Sequence, residues 1–518
     1  MSRRALLLLI VVLIAHLPQL LFSDWHGTEG RRVQIATEMA VSGNWMVPTL
    51  GWEPTYAKPP LHYWMLASVQ RLFGDGFLAM RVPTLVGLWL LSVLGLELLR
   101  RRFGSAAGWV AALGIVLSPL LLFEAASAEI DPLFAFFTAA SIWCLACGVA
   151  DGGRGLVFAG GVLGGLAMLH KGPPFLMFAA GAWLAWLRHR GLRQGLWYFV
   201  PLAAVPLAYY VPLWLWYVPV DRFAGIAREE SIGRATGLAW EHVLETPAYW
   251  LRAAGMLLPL GAWCFWEWRG TRDARMGPAD LTLRMCSGAA VFGVLVLTFF
   301  PGRPTRYLLP NLPLFVFAVA PAVAHFAGQR RLLGSFSHKV LLRLFGVLGA
   351  SAMLAAPFLP GSAPWSIGLL GFAFALAPFA VHTPRQLVVS MLVLPCAGAW
   401  TIGLERSRAW QHTHRAREPH GAALAQAVAG VAGPAAVAGI RVEGSLLQTH
   451  GHFNSCLLLG TGTFPAADEF EVRPPAAAHV LRETDGSHRV AALEGHLDTL
   501  RFCFPNQSYV LSTRTAPR

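Results

Sequence analysis

Four polar clusters interrupt the hydrophobic runs of this chain, and each holds residue types suited to gripping an anion or moving a proton. The first is Thr28-Glu29-Gly30-Arg31-Arg32, with Asp24 just upstream. The second is Tyr56-Ala57-Lys58-Pro59-Pro60-Leu61-His62-Tyr63-Trp64, where two prolines hold the backbone extended and aim the lysine. The third, Ser127-Ala128-Glu129-Ile130-Asp131-Pro132, is a carboxylate pair at the mouth of an apolar run. The fourth is Arg303-Pro304-Thr305-Arg306-Tyr307-Leu308-Leu309-Pro310, a basic helix entrance. Ionisable side chains beside lipid are expensive, so they point to function. Arginine and lysine hold and neutralise a phosphate, and a carboxylate accepts a proton from an attacking hydroxyl or orients it.

Each cluster also has a plain structural reading. Asp131 can cap its helix, Lys58 can snorkel to headgroups, and Arg306 can pair with a carboxylate. Trp45, Trp52, Tyr63 and Trp64 fit an interfacial aromatic belt. From Glu29 onward Val33, Ala36, Met39 and Ala40 recur at helical spacing, which predicts an amphipathic helix lying on a membrane surface. Cys144 and Cys147 have metal-site spacing but sit in an apolar run with no second pair, so packing is their reading. The two HxH pairs, His412/His414 and His450/His452, lack acidic or cysteine partners and read as solvated histidines.

The elements that must position these clusters are membrane spans. With 518 residues, 55% hydrophobic and only 13% charged, the chain departs from a soluble composition, in which about a quarter of residues are charged. A span needs about 20 apolar residues, which gives about thirteen, near 4–22, 78–99, 106–123, 130–150, 156–170, 172–187, 196–217, 249–268, 286–300, 305–327, 339–358, 365–381 and 386–404. Ser2-Arg3-Arg4 and every second loop after it are basic, which places them in the cytoplasm. The other face then carries the loop 23–77, the Glu129-Ile130-Asp131 turn, the His170-Lys171-Gly172-Pro173-Pro174 turn, the loop 221–248 and the segment 301–307. The basic residues on that face break the topology rule, and Arg31, Arg32, Lys58, Lys171, Arg228, Arg234, Arg303 and Arg306 are expected to form one cationic pocket for an anionic ligand, with a lipid phosphate the natural candidate. The formal charge of +13 is spread between spans, so membrane lipids explain it better than nucleic acid.

The composition changes after the last span. Residues 1–405 read as the transmembrane domain and residues 406–518 as a small soluble α/β domain on the outer side, which is the periplasm if the membrane belongs to a Gram-negative envelope, with a helical run at 421–431 and strands near 435–442, 456–460 and 509–513. Cys456 and Cys503 would share an oxidising compartment there and could pair.

Taken in order, the motifs resemble a known family. The pattern of Glu29, Arg31, Ile35, Ala36, Glu38, Met39, Ser42, Gly43 and Trp45, then Lys58-Pro59-Pro60-Leu61 with Tyr63-Trp64, then Asp131, then Lys171-Gly172-Pro173, then Arg306-Tyr307 with Leu309-Pro310, is similar to the GT-C glycosyltransferases of the protein O-mannosyltransferase and aminoarabinose transferase superfamily. The resemblance covers residues 1–404. It implies an all-α polytopic membrane fold and an inverting transfer, on the outer face, of a sugar from a polyprenyl (undecaprenyl) phosphate donor to an envelope acceptor, whether lipid A, a glycan or a protein. It carries Glu29 over as a catalytic acidic residue with Asp131, and Arg31, Lys58, Lys171, Arg306 and Tyr307 as substrate-binding residues. Arg234 joins them through Glu229-Glu230-Ser231-Ile232-Gly233-Arg234, which is similar to the family's long outer loop. The chain departs from the pattern twice. Thr28 stands where the family has aspartate, so Glu29, Asp24 and Asp131 all remain candidates for the base. Ala57 replaces the acidic residue before Lys-Pro-Pro, which disfavours a divalent metal there, and no other cofactor is expected. A transporter or flippase for a lipid-linked or anionic solute is the competing reading, but it calls for ionisable residues at mid-membrane and inverted repeats, whereas here the charges gather at one face.

Overall fold

The computed structural model describes residues 2–22, 29–50, 53–56, 58–74, 77–187, 195–218, 279–299 and 305–328, isolated positions at 246, 249, 250 and 347, and strands at 440–442, 470–473, 488–492 and 510–514. Asp24, Arg234 and the rest of the loop 221–245 lie outside the described residues, as do both HxH pairs, Cys456, Cys503 and the expected spans after residue 328.

Helices dominate the described part. They are α1 (Arg3–Phe22), α2 (Glu29–Ser42), α3 (Leu61–Phe73), α4 (Phe77–Phe103), α5 (Ser105–Val116), α6 (Pro119–Glu124), α7 (Ile130–Asp151), α8 (Arg154–Lys171), α9 (Phe175–Leu187), α10 (Leu196–Trp216), α11 (Ala279–Thr298) and α12 (Asn311–Gly328). Among the described residues, four helices are long and apolar enough to cross a membrane, within α4, α7, α10 and α11. A two-residue hairpin, β1 (Thr49–Leu50) and β2 (Glu53–Pro54), lies between α2 and α3. Four late strands, β3 (Ile440–Val442), β4 (Phe470–Arg473), β5 (His488–Ala492) and β6 (Val510–Arg514), form a sheet in the order β3-β4-β6-β5, with β3 and β4 parallel and the other pairs antiparallel. Two of them, β3 and β6, fall where strands were expected.

Several helix boundaries differ from the sequence reading, two of them for a local reason at a proline. The run 106–123 does not form one helix: Ser118 is extended (φ −69°, ψ 138°) before Pro119, which disfavours the helical region for its predecessor and lacks an N–H, so α5 stops and the short α6 restarts. Pro310 acts similarly, and α12 begins at Asn311 after a 3₁₀ turn at Thr305–Leu308. Helix α11 starts at Ala279, well before residue 286. A further difference concerns environment. Val33, Ala36 and Met39 of the apolar stripe are buried inside the protein, and so are Glu29, Arg32, Gln34 and Glu38 on other sides of α2. This helix is packed into the protein rather than laid on a membrane surface.

Tight helix contacts set the scaffold. Gly160, Gly161, Gly164 and Gly165 work on two faces of α8. A Cβ on Gly160 would lie 2.9 Å from the Ser141 carbonyl of α7, while one on Gly161 would collide with the Tyr198 carbonyl of α10. Small residues let helix backbones approach where no hydrophobic drive separates protein from lipid. Polar groups then seal the contact: the Ser141 hydroxyl donates to the Gly160 carbonyl at 2.7 Å and lies 3.0 Å from the Tyr198 hydroxyl. Cys144 and Cys147 are free and buried inside this packing.

Ion pairs mark the two ends of the helices. At one end Arg102 pairs with Asp151 at 2.8 Å and Arg4 lies 3.7 Å from Glu97. At the other end of α4, Arg81 holds Glu29 through two contacts of 3.0 and 3.2 Å, with both side chains essentially inaccessible. The first residue of α2 is thereby riveted to the start of α4.

Removing one partner of such a buried pair leaves an uncompensated charge and costs about 3–5 kcal/mol. Arg81→Met should therefore markedly lower the thermal midpoint in detergent, and adding Glu29→Gln should recover part of it; an unchanged midpoint in the single variant would refute the rivet. Gly161→Leu should abolish the monodisperse folded species on size exclusion, whereas Gly155→Leu, whose Cβ would meet nothing within 4 Å, should be tolerated.

Candidate active site

The site is built on the turn that enters α7. Glu129 is the N-cap residue, extended at φ −72° and ψ 153°, and its side chain makes no capping bond. Its N–H instead donates to the Ser127 hydroxyl at 3.3 Å. Asp131 is in the first helical turn, where a negative charge suits the helix dipole. It does not cap. Both carboxylates are buried, at 1% and 2% exposure, and therefore require partners.

Those partners come from two distant segments. Lys171 is the last residue of α8, which Gly172 ends at φ +87° with its N–H on the Met168 carbonyl at 2.8 Å. Glycine suits that left-handed position, and Pro173 cannot continue the helix. From there the Lys171 ammonium reaches Asp131 Oδ1. It also lies over the rings of Tyr307, at 4.4 Å from the centroid, and Phe134, at 5.1 Å, within range of cation–π attraction. Arg306, on the 3₁₀ turn before α12, spans both carboxylates: Nη1 is 3.6 Å from Glu129 Oε1 and Nε is 3.5 Å from Asp131 Oδ2. Its side chain is 27% exposed, so the cluster opens to solvent on the arginine side.

A second layer supports this one. Arg32 donates to the Tyr63 hydroxyl at 2.9 Å. Burial works against its charge, yet the fields of Tyr63, Glu129 and Asp131 outweigh that and hold its guanidinium above the usual value. His62, fully buried, places Nε2 2.9 Å from the Ala128 carbonyl and Nδ1 3.3 Å from His170 Nε2. A carbonyl only accepts, so His62 is protonated on Nε2, and His170 must donate to its Nδ1. Burial, with Arg32 adding to it, lowers His62 to about 3 and keeps it neutral.

The structure thus unites Asp131, Lys171, Arg306 and Tyr307 from the sequence-derived candidates. Lys58 is half-buried beside Pro59, whose Cγ would lie 3.7 Å from a Cβ on Gly172, so the Lys-Pro-Pro loop packs on the turn that carries Lys171. Arg31 is half-buried next to Arg32. Glu29, a candidate base by sequence, has a holding position instead: its carboxylate meets Arg81 and also accepts the Ala128 N–H at 2.5 Å. Sequence reasoning assigned no role to Arg81, His62 or His170, and named Glu129 only as half of a carboxylate pair. Arg81 carried a usable signal, an arginine within an apolar span, and Glu129 stands only two positions before Asp131. Nothing in the spacing of His62 and His170, 108 residues apart, announced their contact. Among the described residues no three His, Cys, Asp or Glu side chains come together as metal ligands.

Comparisons with known proteins agree with this architecture. Residues 57–216 match the family described as dolichyl-phosphate-mannose-protein mannosyltransferase. An undecaprenyl phosphate-alpha-4-amino-4-deoxy-L-arabinose arabinosyl transferase of Pseudomonas savastanoi pv. phaseolicola is 26% identical over 77% of this chain and 72% of its own length. An enzyme of the same name from Edwardsiella ictaluri is 26% identical over 73% of this chain and 67% of its own. In fold, the chain is similar to the crystal structure of ArnT from Cupriavidus metallidurans bound to undecaprenyl phosphate, with a TM-score of 0.67, 17% identity and 99% of both chains covered. The ordered motifs, the matched family segment, the relatives and the shared fold point the same way: the chain is similar to the GT-C glycosyltransferases of the protein O-mannosyltransferase and aminoarabinose transferase superfamily.

Proposed function

We propose that this protein transfers a sugar from a polyprenyl phosphate donor to an envelope acceptor, with lipid A the acceptor that the family resemblance suggests first, at the periplasmic face of the bacterial inner membrane. Undecaprenyl phosphate-linked aminoarabinose is the donor that those relatives' names support. The observation that carries the reading is the sharing of Asp131 between Lys171 and Arg306, cations from remote segments meeting at the site end of the helix bundle. On this reading residues 1–405 form the catalytic membrane domain with about thirteen spans, and residues 406–518 form a periplasmic α/β domain to which the four late strands belong.

The chemistry follows from charge. The acceptor oxygen attacks the anomeric carbon, the bond from that carbon to the phosphate oxygen breaks, and the sugar inverts. A phosphodiester with one negative charge becomes a monoester that gains a second. Cations aimed at that oxygen therefore bind the departing group more strongly than the donor, which is the condition for lowering the barrier. We assign this to Lys171 and Arg306, with Lys58, Arg31 and Arg234 drawn toward the same phosphate. Tyr307 seats the lysine by its ring. As the phosphate engages the cations, Asp131 is freed to take the proton of a hydroxyl acceptor or to orient an acceptor that has none to give. Glu129 keeps Arg306 in place, and Glu29 stays with Arg81.

Release of undecaprenyl phosphate from its aminoarabinose conjugate by the purified protein in detergent, dependent on added lipid A, tests the reading; a protein that bound the conjugate without turnover would be a carrier and not a transferase. Lys58→Ala and Arg306→Ala should each cut transfer by about 10²–10³ at unchanged folded yield, the range seen when one transition-state charge contact is lost. Asp131→Asn should lower turnover by about 10²-fold or more while undecaprenyl phosphate still binds, consistent with loss of a proton acceptor; normal turnover would remove Asp131 from the mechanism.

A further inference from the structure

The backbone of Ser127 and Ala128, just before the carboxylate pair, is held by side chains of other elements. Its N–H, at Ala128, donates to Glu29 of α2 at 2.5 Å, and the Ala128 carbonyl accepts from His62 of α3 at 2.9 Å. One residue earlier, the Thr84 hydroxyl of α4 lies 2.7 Å from the Ser127 carbonyl and 2.8 Å from its own Arg81 carbonyl. Backbone groups at a helix entrance are ordinarily satisfied by local caps or water. Here three separate helices reach in to do it, in a dry environment where each bond constrains strongly.

His62 is the junction of this arrangement. It stands four residues after Lys58 in the Lys-Pro-Pro segment, bonds the carbonyl three residues before Asp131, and touches His170, the neighbour of Lys171. Three sequence-distant segments of the proposed site therefore meet on one imidazole. Both of its nitrogens are engaged, so it has no lone pair or proton to offer a substrate. We propose that His62 is a positioning residue: through the Ala128 carbonyl it fixes the Glu129 to Asp131 turn relative to the lysine of the Lys-Pro-Pro segment, and so sets the rate of transfer without touching the reacting atoms. This rests on the reading of Asp131 given above. Misplacing a catalytic group by about 1 Å can cost about a hundredfold in rate.

The test uses the full-length protein with the undecaprenyl phosphate-aminoarabinose donor, lipid A as acceptor and undecaprenyl phosphate as binding probe. The glutamine side chain of His62→Gln carries an amide N–H near the position of Nε2, whereas the leucine of His62→Leu cannot donate. His62→Leu should reduce kcat about ten- to a hundredfold, with the donor KM and the undecaprenyl phosphate Kd within about threefold of the parent, and His62→Gln should return most of the rate with an unshifted pH profile. If His62→Leu yields no folded protein, His62→Asn carries the same expectation, because its amide matches Nδ1 and falls short of the Ala128 carbonyl. Placed in an Asp131→Asn background, His62→Leu should add less than about a twofold loss, since groups acting as one unit are non-additive. Unchanged kcat in His62→Leu, a loss that appears in KM instead, or a glutamine variant as slow as the leucine one would each overturn the proposal. So would disappearance of one limb of the pH profile in His62→Gln, which would make the histidine a proton carrier. Normal turnover in Asp131→Asn alone would count against the role of Asp131, while a kcat loss confined to His62→Leu would still uphold the clamp on the turn.

Discussion

Asp131 is shared by two cations that arrive from remote points of the chain, and the geometry of the site follows from that sharing. A carboxylate at 2% exposure cannot stay charged without compensation. Its compensation requires the end of α8 and the entrance to α12 to lie within reach of the start of α7. Those three helix ends can meet only if the helices between them are packed closely, which is what the glycine faces of α8 against α7 and α10 provide. The geometry of the charged cluster and the helix packing are therefore one constraint seen at two depths.

Two ion pairs of the same chemical type sit at this end of the molecule, and burial separates their roles. Glu29 and Arg81 are 0% and 1% exposed. A pair that dry exchanges poorly with any ligand, because separating it would strand two charges in a low dielectric. Arg306, by contrast, is 27% exposed and stands 3.5–3.6 Å from its two carboxylates, longer than a well-formed charged hydrogen bond. Its Nε finds no hydrogen-bond acceptor although it is buried. Such an arginine is well suited to turn toward a phosphate.

Much of this was legible in the sequence, for identifiable reasons. Lys171, Asp131 and Arg306 each stand where an apolar run stops, and lipid makes a charge at such a place conspicuous. The helix start at Glu29 and its apolar stripe were equally plain. Their environment was not: Val33, Ala36 and Met39 fit a surface helix or a buried one, and only the burial of Arg32, Gln34 and Glu38 on its other faces decides between them. The break at Ser118-Pro119 was written in the proline but masked by the hydrophobicity around it. The contact of His62 with His170 and Ala128 had no local signal at all, since it exists only once α3, α7 and α8 have been brought together.

The departures from the family pattern acquire a physical sense in this arrangement. Thr28 and Ala57 stand at first-loop positions where the resembled family has acidic residues, Glu29 is held by Arg81, and the described carboxylates beside Arg306 are Glu129 and Asp131. The proposed function accordingly places its acidic groups at the mouth of α7. This distribution has a benefit for a reaction that turns a monoanion into a dianion. A carboxylate beside a cation offsets part of that cation's field at a third charge, and the offset is smaller where the pair stands farther apart. Arg32 donates to the Tyr63 hydroxyl, and Arg306 stands off from both of its carboxylates, so Arg306 keeps part of its field for the anionic group that the proposed function brings to it. The bond from His62 to Ala128 holds the turn that carries the carboxylate pair, and so keeps that pair where it can deal with the acceptor.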